Sequence, residues 1–185
     1  MVRVSTRDEI LRVAAERFAR SGYKGTSLQD IAVEVGCSKA TLLYHFAHKE
    51  SILQTLIAPA ARDLSDLIAR LDTLGDAEVQ TPAIEGFVDL VLRYRREVAL
   101  IQDVIPQFQH EPAFEPVRPL TARLCAAFTG RSADPAHDIA AEVLLGGIAG
   151  LVIDDDRAAA DVRPALIRVA RRALIAASHD DDDKD

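Results

Sequence analysis

The sequence predicts an all-α protein. Apolar residues recur at three- and four-residue spacing along most of the chain, which is the period of one face of an α-helix. Glycine and proline separate these stretches, and none shows the strict alternation of a half-buried strand. The chain has 185 residues, of which 49% are hydrophobic, so it can bury a sizeable core.

The first predicted helix begins at Thr6, because residues 6–9 (TRDE) have the form of a capping box. Ile10, Ala14 and Phe18 follow at four-residue spacing and would face a core. The helix is expected to close at the pair Ser21-Gly22, since glycine commonly follows the last turn of a helix.

Residues 26–50 predict two further short helices joined at Gly36. Thr26 or Ser27 is expected to cap the first, which carries one apolar face: Leu28, Ile31, Ala32 and Val35. Ser38 can cap the second, which offers three residues for packing: Ala40, Leu42 and Phe46. This layout is a helix-turn-helix, in which the second helix enters the major groove of DNA.

These residues resemble the N-terminal DNA-binding domain of the TetR family of transcriptional regulators. The resemblance lies in Gly22-Tyr23, Thr26-Ser27, Asp30-Ile31-Ala32, Gly36, Ser38-Lys39-Ala40-Thr41-Leu42, Phe46 and Lys49-Glu50. It is confined to the N-terminal part, because members of this family diverge in the region that senses a ligand. One departure is Leu43, where many relatives have an aromatic residue.

The second helix of this motif supplies the candidate DNA contacts. Three residues are candidates to reach base edges: Lys39, Thr41 and Tyr44. By the resemblance, six others are expected to contact phosphates: Lys24, Thr26, Ser27, Ser38, His45 and Lys49. Phosphate contacts position a protein, whereas base contacts specify a sequence. The alternatives are rings of Tyr44 and His45 packed against neighbouring helices, and a plain solvated charge at Lys49.

The charge distribution agrees with a DNA-binding N-terminus. The formal net charge of the whole chain is −7, but residues 1–50 hold eight basic and six acidic residues. Screening confines attraction to phosphates to about 8 to 10 Å at ordinary salt, so local charge matters more than the total. The acidic remainder therefore need not prevent DNA binding.

Beyond residue 50 the pattern predicts helices only, with no internal repeat. Their expected ranges are 50–74 with a kink near Pro59, 81–96, 98–108, one ending near Phe128, 136–153 and 162–178. We expect a DNA-binding domain at 1–50, a helical regulatory and dimerisation domain at 51–178, and an acidic tail at 179–185. Because DDDDK is identical to an enteropeptidase cleavage sequence, the tail is either natural or a tag remnant.

The resemblance implies a small-molecule pocket among the middle helices. Aromatic side chains and a few polar groups could line it: Phe87, Tyr94, Gln102, Phe108, His110, Phe114, Arg123 and Phe128. The alternative for each aromatic residue is ordinary core packing, and for His110 a surface turn.

Glycines near the C-terminus suggest close helix packing. Gly146 and Gly150 lie one turn apart, and each glycine costs a helix about 0.5 to 1 kcal/mol relative to alanine. A compensating contact is either packing within one subunit or a two-fold interface, and the resemblance favours a four-helix dimer seam. Its expected residues are Leu145, Gly146, Ile148, Gly150, Leu166, Ala170 and Leu174.

The sequence shows no motif of an enzyme. It has no glycine-rich phosphate loop, no HExxH helix and no nucleophile signature, and we expect no cofactor and no metal. Asp154-Asp155-Asp156 is the nearest approach to a carboxylate cluster, and a solvated loop is the preferred interpretation. No apolar run reaches the ~20 residues that span a bilayer, and no signal peptide is recognisable, so we expect a cytoplasmic protein without a membrane partner.

Together these features predict a homodimeric, ligand-responsive regulator that binds a palindromic operator. Repression, with release from DNA by a small-molecule effector, is what the family resemblance implies. The alternatives are an effector-dependent corepressor or an activator of the same fold, and a ligand-binding module whose DNA-binding head has decayed.

Overall fold

The computed structural model describes residues 5–108, 118–153 and 157–177, with only the backbone of 105–108, 118 and 175–177. Within these ranges it contains nine α-helices and no strand, which confirms the all-α prediction. The helices are α1 (Thr6–Ser21), α2 (Leu28–Val35), α3 (Lys39–His45), α4 (Lys49–Leu71), α5 (Asp76–Arg93), α6 (Arg95–Phe108), α7 (Arg118–Phe128), α8 (Pro135–Ile153) and α9 (Ala159–Ala177).

Contacts between Cα atoms divide the chain into two compact units, and each is described by itself. Unit 1 holds α1 to α3, α4 as far as Pro59, and α6 from Ala99 onward. Unit 2 holds α4 from Ala60, α5, α6 as far as Val98, and α7 to α9. These units are defined by contacts alone. The functional boundary that we expect after residue 50, between a DNA-binding and a regulatory domain, stays a prediction.

The helix caps of unit 1 follow local sequence signals, with one correction. Ser5, not Thr6, is the N-cap of α1, since its Oγ accepts a hydrogen bond from the Asp8 N–H at 3.2 Å. The N-cap therefore lies one residue earlier than expected, because Ser5 and Asp8 have the same spacing as Thr6 and Glu9. At α2, Ser27 and Asp30 form a reciprocal capping box.

Several helix boundaries in unit 2 differ from expectation: α4 ends at Leu71 rather than near 74, α6 begins at Arg95 rather than 98, and the start of α5 differs most. Helix α5 begins at Asp76, directly after its N-cap Gly75, whereas we expected it to start near Thr81. Pro82 suggested a helix start, yet it lies in the second turn, and acidic residues of the first turn stabilise the earlier beginning. Helix α9 likewise begins earlier than expected, at Ala159.

The core of unit 1 gathers side chains from all of its helices. Leu42 and Phe46 anchor α3 and its C-cap in this core, together with Ile10, Val13, Ala14, Phe18, Tyr23, Ile31, Ala32, Ile52, Leu53, Ile57, Leu100 and Val104. Ala40, which was expected to pack, is exposed because it lies on the face of α3 opposite Leu42.

The core of unit 2 lies among α4, α5, α7, α8 and α9. Its largest fully buried side chain is Phe128, whose ring packs edge to face on Phe87 with centroids 5.7 Å apart. The five core residues of α8 are Ala141, Leu145, Ile148, Ala149 and Val152.

Helix α8 is long and apolar enough to cross a membrane by length and composition, which the sequence analysis did not anticipate. Only 28% of the apolar 18-residue stretch of this helix is buried within the protein. One face of this helix lies in the core of unit 2, and the other is exposed and apolar.

Replacing Phe128 with alanine should lower the free energy of unfolding by about 3 to 5 kcal/mol, because it leaves a cavity in the core of unit 2. Urea unfolding without any added ligand measures this change. Tyr44→Ala removes an aromatic ring that is exposed and should shift stability by less than about 0.5 kcal/mol. Equal stability of the two variants would show that Phe128 is not a core residue.

Candidate nucleic-acid interface

The turn between α2 and α3 is set by Gly36. Its φ of 76° lies in the left-handed region, which side chains with a Cβ rarely adopt. The Gly36 N–H donates to the Val33 carbonyl at 3.1 Å, and the Cys37 N–H donates to the Ala32 carbonyl at 3.0 Å. These bonds satisfy carbonyls at the end of α2 and turn the chain toward α3.

Ser38 starts α3, the second helix of the helix-turn-helix. Its Oγ accepts a hydrogen bond from the Thr41 N–H at 3.0 Å. The Ser38 and Thr41 hydroxyl oxygens also lie 2.8 Å apart and share a hydrogen bond. This cap matters because α3 has only seven residues and few internal hydrogen bonds.

Helix α3 has a buried face and a free face. Leu42 is fully buried, and at 100° per residue Ala40 and Tyr44 lie nearly opposite to it. The Tyr44 side chain is 85% exposed, and Leu43 at the flank of this face is 41% exposed. The free face therefore presents side chains that nothing in the described part of the chain covers.

The three candidates for base contacts all lie on the exposed side of α3. Lys39, Thr41 and Tyr44 are each exposed. The hydroxyl of Thr41 is already hydrogen-bonded to Ser38. Lys39 and Tyr44 have longer side chains, so they are the two candidates that extend furthest from the helix.

Of the six candidates for phosphate contacts, four lie at or near the surface. Lys24, Ser27 and Ser38 are exposed, and His45 is half-buried with its ring 5.2 Å from the ring of Tyr44. Ser27 donates to the Asp30 Oδ2 at 2.7 Å. Hydrogen bonds from Ser27 lower the pKa of Asp30, so a carboxylate stands beside this candidate and would oppose a phosphate there.

Thr26 does not present its side chain to a ligand. It is 1% exposed, and its Oγ1 donates to the Gly22 carbonyl at 3.0 Å. The hydroxyl stabilises the turn between α1 and α2, so the expectation of a side-chain phosphate contact is replaced by a structural role.

Lys49 is also held within unit 1. Its Nζ donates to the carbonyls of Tyr23 at 2.7 Å and Thr26 at 2.8 Å, and lies 4.2 Å from the centroid of the Tyr23 ring. Partial burial lowers the pKa of Lys49, because desolvation disfavours the charged ammonium. The geometry favours a positioning role for Lys49 over the expected phosphate contact.

Asp103 of α6 holds the same turn from another side. The Tyr23 N–H donates to the Asp103 Oδ2 at 2.8 Å. We call Lys49, Asp103 and the turn residues Tyr23 and Thr26 the turn clamp. Asp103 could not be predicted from the sequence, since a pair of residues 80 positions apart leaves no local pattern.

Most arginines of α1 already interact with other side chains of unit 1. Arg17 and Arg20 both pair with Glu34, at 2.6 and 3.2 Å. Arg12 pairs with two glutamates of its own helix, and Arg7 stacks over a ring of the core. Among the described residues of unit 1, Lys24 and Lys39 are exposed cations outside these contacts.

The residues expected to line a ligand pocket have several different surroundings. Phe87 and Phe128 pack on each other in the core of unit 2. The Tyr94 hydroxyl donates to the Asp63 Oδ2 at 2.9 Å, and Arg123 forms an ion pair with Asp72. Gln102 is half-buried. The Phe108 side chain, His110 and Phe114 lie outside the described residues, as does the aspartate run at 154–156.

Unit 2 carries a polar groove of about 320 Å³ between α4 and α5, which we call the α4–α5 groove. Helix packing there is close, since a Cβ added to Gly86 would overlap the side chain of Leu67. The remaining lining is mostly charged: Asp63, Asp66, Arg70, Asp89, Leu90 and Arg93. The Asp89 carboxylate pairs with Arg163, which lowers its pKa. Sequence analysis missed this groove because its residues come from two helices.

The expected dimer residues divide between the core and the surface. Five of them are buried in the core of unit 2: Leu145, Ile148, Leu166, Ala170 and Leu174. Gly146 and Gly150 are exposed, with open space where a Cβ would stand. The five buried residues thus stabilise the single chain, and only the two glycines are accessible to a partner.

Replacing Lys49 with alanine should lower the free energy of unfolding by about 1 to 3 kcal/mol, because two carbonyls of the α1–α2 turn lose their donor. Lys24→Ala is the matched control, because it removes the same side chain at an exposed position, and it should change the free energy of unfolding by less than about 0.5 kcal/mol. Urea denaturation measures both variants. Identical curves for the two would contradict the turn clamp.

The comparisons with known proteins agree with this geometry. The family described as bacterial regulatory proteins, tetR family, matches residues 10–56, which include α2 and α3. The HTH-type transcriptional repressor KstR2 of Mycolicibacterium smegmatis is 29% identical over 117 residues, which cover 60% of this chain and 55% of that protein. IcaR of Staphylococcus aureus, a negative transcriptional regulator of the biofilm operon icaADBC, is 39% identical over 62 residues, covering 34% of this chain and 33% of IcaR.

The matched regions therefore span only about half and a third of these two relatives. A solved structure, the ketosteroid transcriptional regulator KstR2 of Mycobacterium tuberculosis, superposes with a TM-score of 0.72 at 18% identity. That superposition covers 91% of this chain and 96% of the other, and shows a shared fold. The relatives are named as regulators, in agreement with the expectation that the chain is not an enzyme. The N-terminal part of the chain, residues 10–56, is thus similar to the tetR family of bacterial regulatory proteins.

Proposed function

We propose that the chain is a homodimeric transcriptional repressor that binds a palindromic operator through α3 and is released by a small-molecule effector. The observation that carries the DNA-binding part is the free face of α3, with exposed Lys39 and Tyr44 beside the fully buried Leu42. A rigid core on one side and long polar side chains on the other suit insertion into the major groove.

The direction of regulation is inferred from the relatives. KstR2 is named a repressor and IcaR a negative regulator, and they match 60% and 34% of this chain. Repressors of this kind block transcription by occupying DNA. An activator or an effector-dependent corepressor would use the same reading surface, and reporter expression with and without effector distinguishes them.

The dimer is inferred from the exposed face of α8. Opposite its core residues, this helix presents a continuous apolar and small-residue face: Ile139, Val143, Gly146, Gly147, Gly150 and Leu151. Val143 is 67% exposed, and no side chain of the described residues lies where a Cβ on Gly146 or Gly150 would stand. Contiguous apolar surface of this kind marks an interaction site, and glycines allow a second helix to approach closely.

Helix α9 extends this surface. Ala165, Val169 and Ala173 follow one another at four-residue spacing and are all exposed. Helices α8 and α9 of two chains could then bury their free faces in a four-helix arrangement about a two-fold axis. Burial in a partner, rather than in lipid, also accounts for the apolar composition of α8 and agrees with a cytoplasmic protein.

The effector is assigned only to unit 2. The residues expected to line its pocket have other partners there: Tyr94 and Arg123 interact with Asp63 and Asp72, and Phe87 and Phe128 are buried on each other in the core. The α4–α5 groove is a candidate effector site, because its mixture of carboxylates and guanidinium groups suits a polar ligand with both charges. A ligand-binding module without DNA binding is the remaining alternative, and selection on DNA tests it directly.

Selection of bound duplexes from randomised DNA should yield a palindrome with half-sites about one helical turn apart. Tyr44→Ala should then change the selected sequence, because Tyr44 lies on the free face of α3. Lys24→Ala should instead weaken binding to every duplex and reduce the slope of log K against log salt by about one. Binding that is weak and blind to sequence in the wild-type protein would contradict the proposal.

Val143→Arg should convert the dimer to a monomer without unfolding it, because this side chain is exposed in the single chain. Sedimentation equilibrium measures the mass, and a circular dichroism melt checks the fold. Val33→Arg is the matched control, since Val33 is equally exposed but lies on α2. A Val143→Arg protein that remained dimeric would place the interface elsewhere.

A further inference from the structure

Two apolar side chains lie side by side among the polar residues on the exposed side of α3. Ala40 and Leu43 are exposed and lie one turn apart, so their side chains are neighbours on the helix surface. We call this pair the apolar strip. Lys39 flanks it on one side, and Tyr44 flanks it on the other.

The lengths of these side chains make the surface of α3 lower between Lys39 and Tyr44 than at those two residues. Alanine and leucine are shorter than lysine and tyrosine, so a surface meeting α3 approaches most closely at the apolar strip. The core does not account for the strip, because Leu42 and Phe46 already bury the opposite side of this segment. An apolar partner group at close range is therefore the natural complement.

The major groove offers one apolar group. Each base pair displays donors and acceptors there, but only thymine carries a methyl group, at C5. Cytosine presents an N4 amino donor instead, which an alanine or leucine side chain would desolvate without accepting its hydrogen bond. An apolar strip facing the groove thus discriminates thymine from cytosine.

We propose that Ala40 and Leu43 select thymine in each operator half-site by contact with its C5 methyl group. This inference rests on the proposed function, since it requires α3 to lie in the major groove. It adds two specificity-determining residues to the polar candidates, and both make van der Waals contacts rather than hydrogen bonds. The apolar strip would select an A·T pair at the positions it contacts, and Lys39 and Tyr44 would contact the neighbouring base pairs.

The test replaces each thymine of the selected duplex, one at a time, with deoxyuridine, which lacks only the C5 methyl group. For the wild-type protein, at least one replacement per half-site should weaken binding about three- to fivefold, the effect of one buried methyl group. Leu43→Gln keeps the length and helix propensity of the residue, and Ala40→Ser keeps its size. Each variant should abolish the penalty at the thymine that its residue contacts.

Val33→Gln is the matched control, because it removes an exposed apolar side chain from α2 and should leave every deoxyuridine penalty unchanged. Three results would overturn the inference: a selected half-site without thymine, a wild-type protein indifferent to all replacements, or penalties that persist in both strip variants. Each is distinct from failure of the proposed function, in which no duplex is bound specifically. Melting curves confirm that the exposed variants are folded.

Discussion

The structure of unit 1 depends on how a seven-residue helix is held in place. An isolated helix of seven residues is not stable in water. The free-energy cost of forming its first turn exceeds the stabilisation from its few hydrogen bonds. Helix α3 is stabilised instead by Leu42, by Phe46 at its C-cap and by the hydroxyl cap of Ser38. Its orientation is therefore a property of the whole core of unit 1, and its free face can vary without loss of the fold.

The turn clamp changes how the charges of this domain are interpreted. Lys49 donates to two carbonyls of the α1–α2 turn, and Asp103 accepts from the same segment. A cation held in this way positions helices and contributes less to the attraction of phosphates. Three arginines of α1, Arg12, Arg17 and Arg20, are paired with glutamates, which partly offset their charge, whereas Lys24 and Lys39 are exposed cations outside these pairs.

The parts that could be predicted from the sequence are those set by neighbouring residues. The Ser27 cap, the left-handed Gly36 and the burial of Leu42 all follow from signals within a few positions. The clamp between Tyr23 and Asp103 needed the tertiary structure, because 80 residues separate the partners. On α8, the sequence identified an apolar helix with glycines, but not which face the core of unit 2 would bury. Leu145 and Ile148 proved to be core residues, and the glycines lie opposite them.

The most direct test of the account is an amide chemical-shift map of the protein, recorded as the selected duplex is added. The account predicts that the largest shifts cluster in residues 38–45 and around Lys24, while the buried core of unit 1 shifts little. The same map with a scrambled duplex should show weaker shifts that salt removes. Shifts confined to α8 and α9, or equal shifts with both duplexes, would contradict sequence reading by α3.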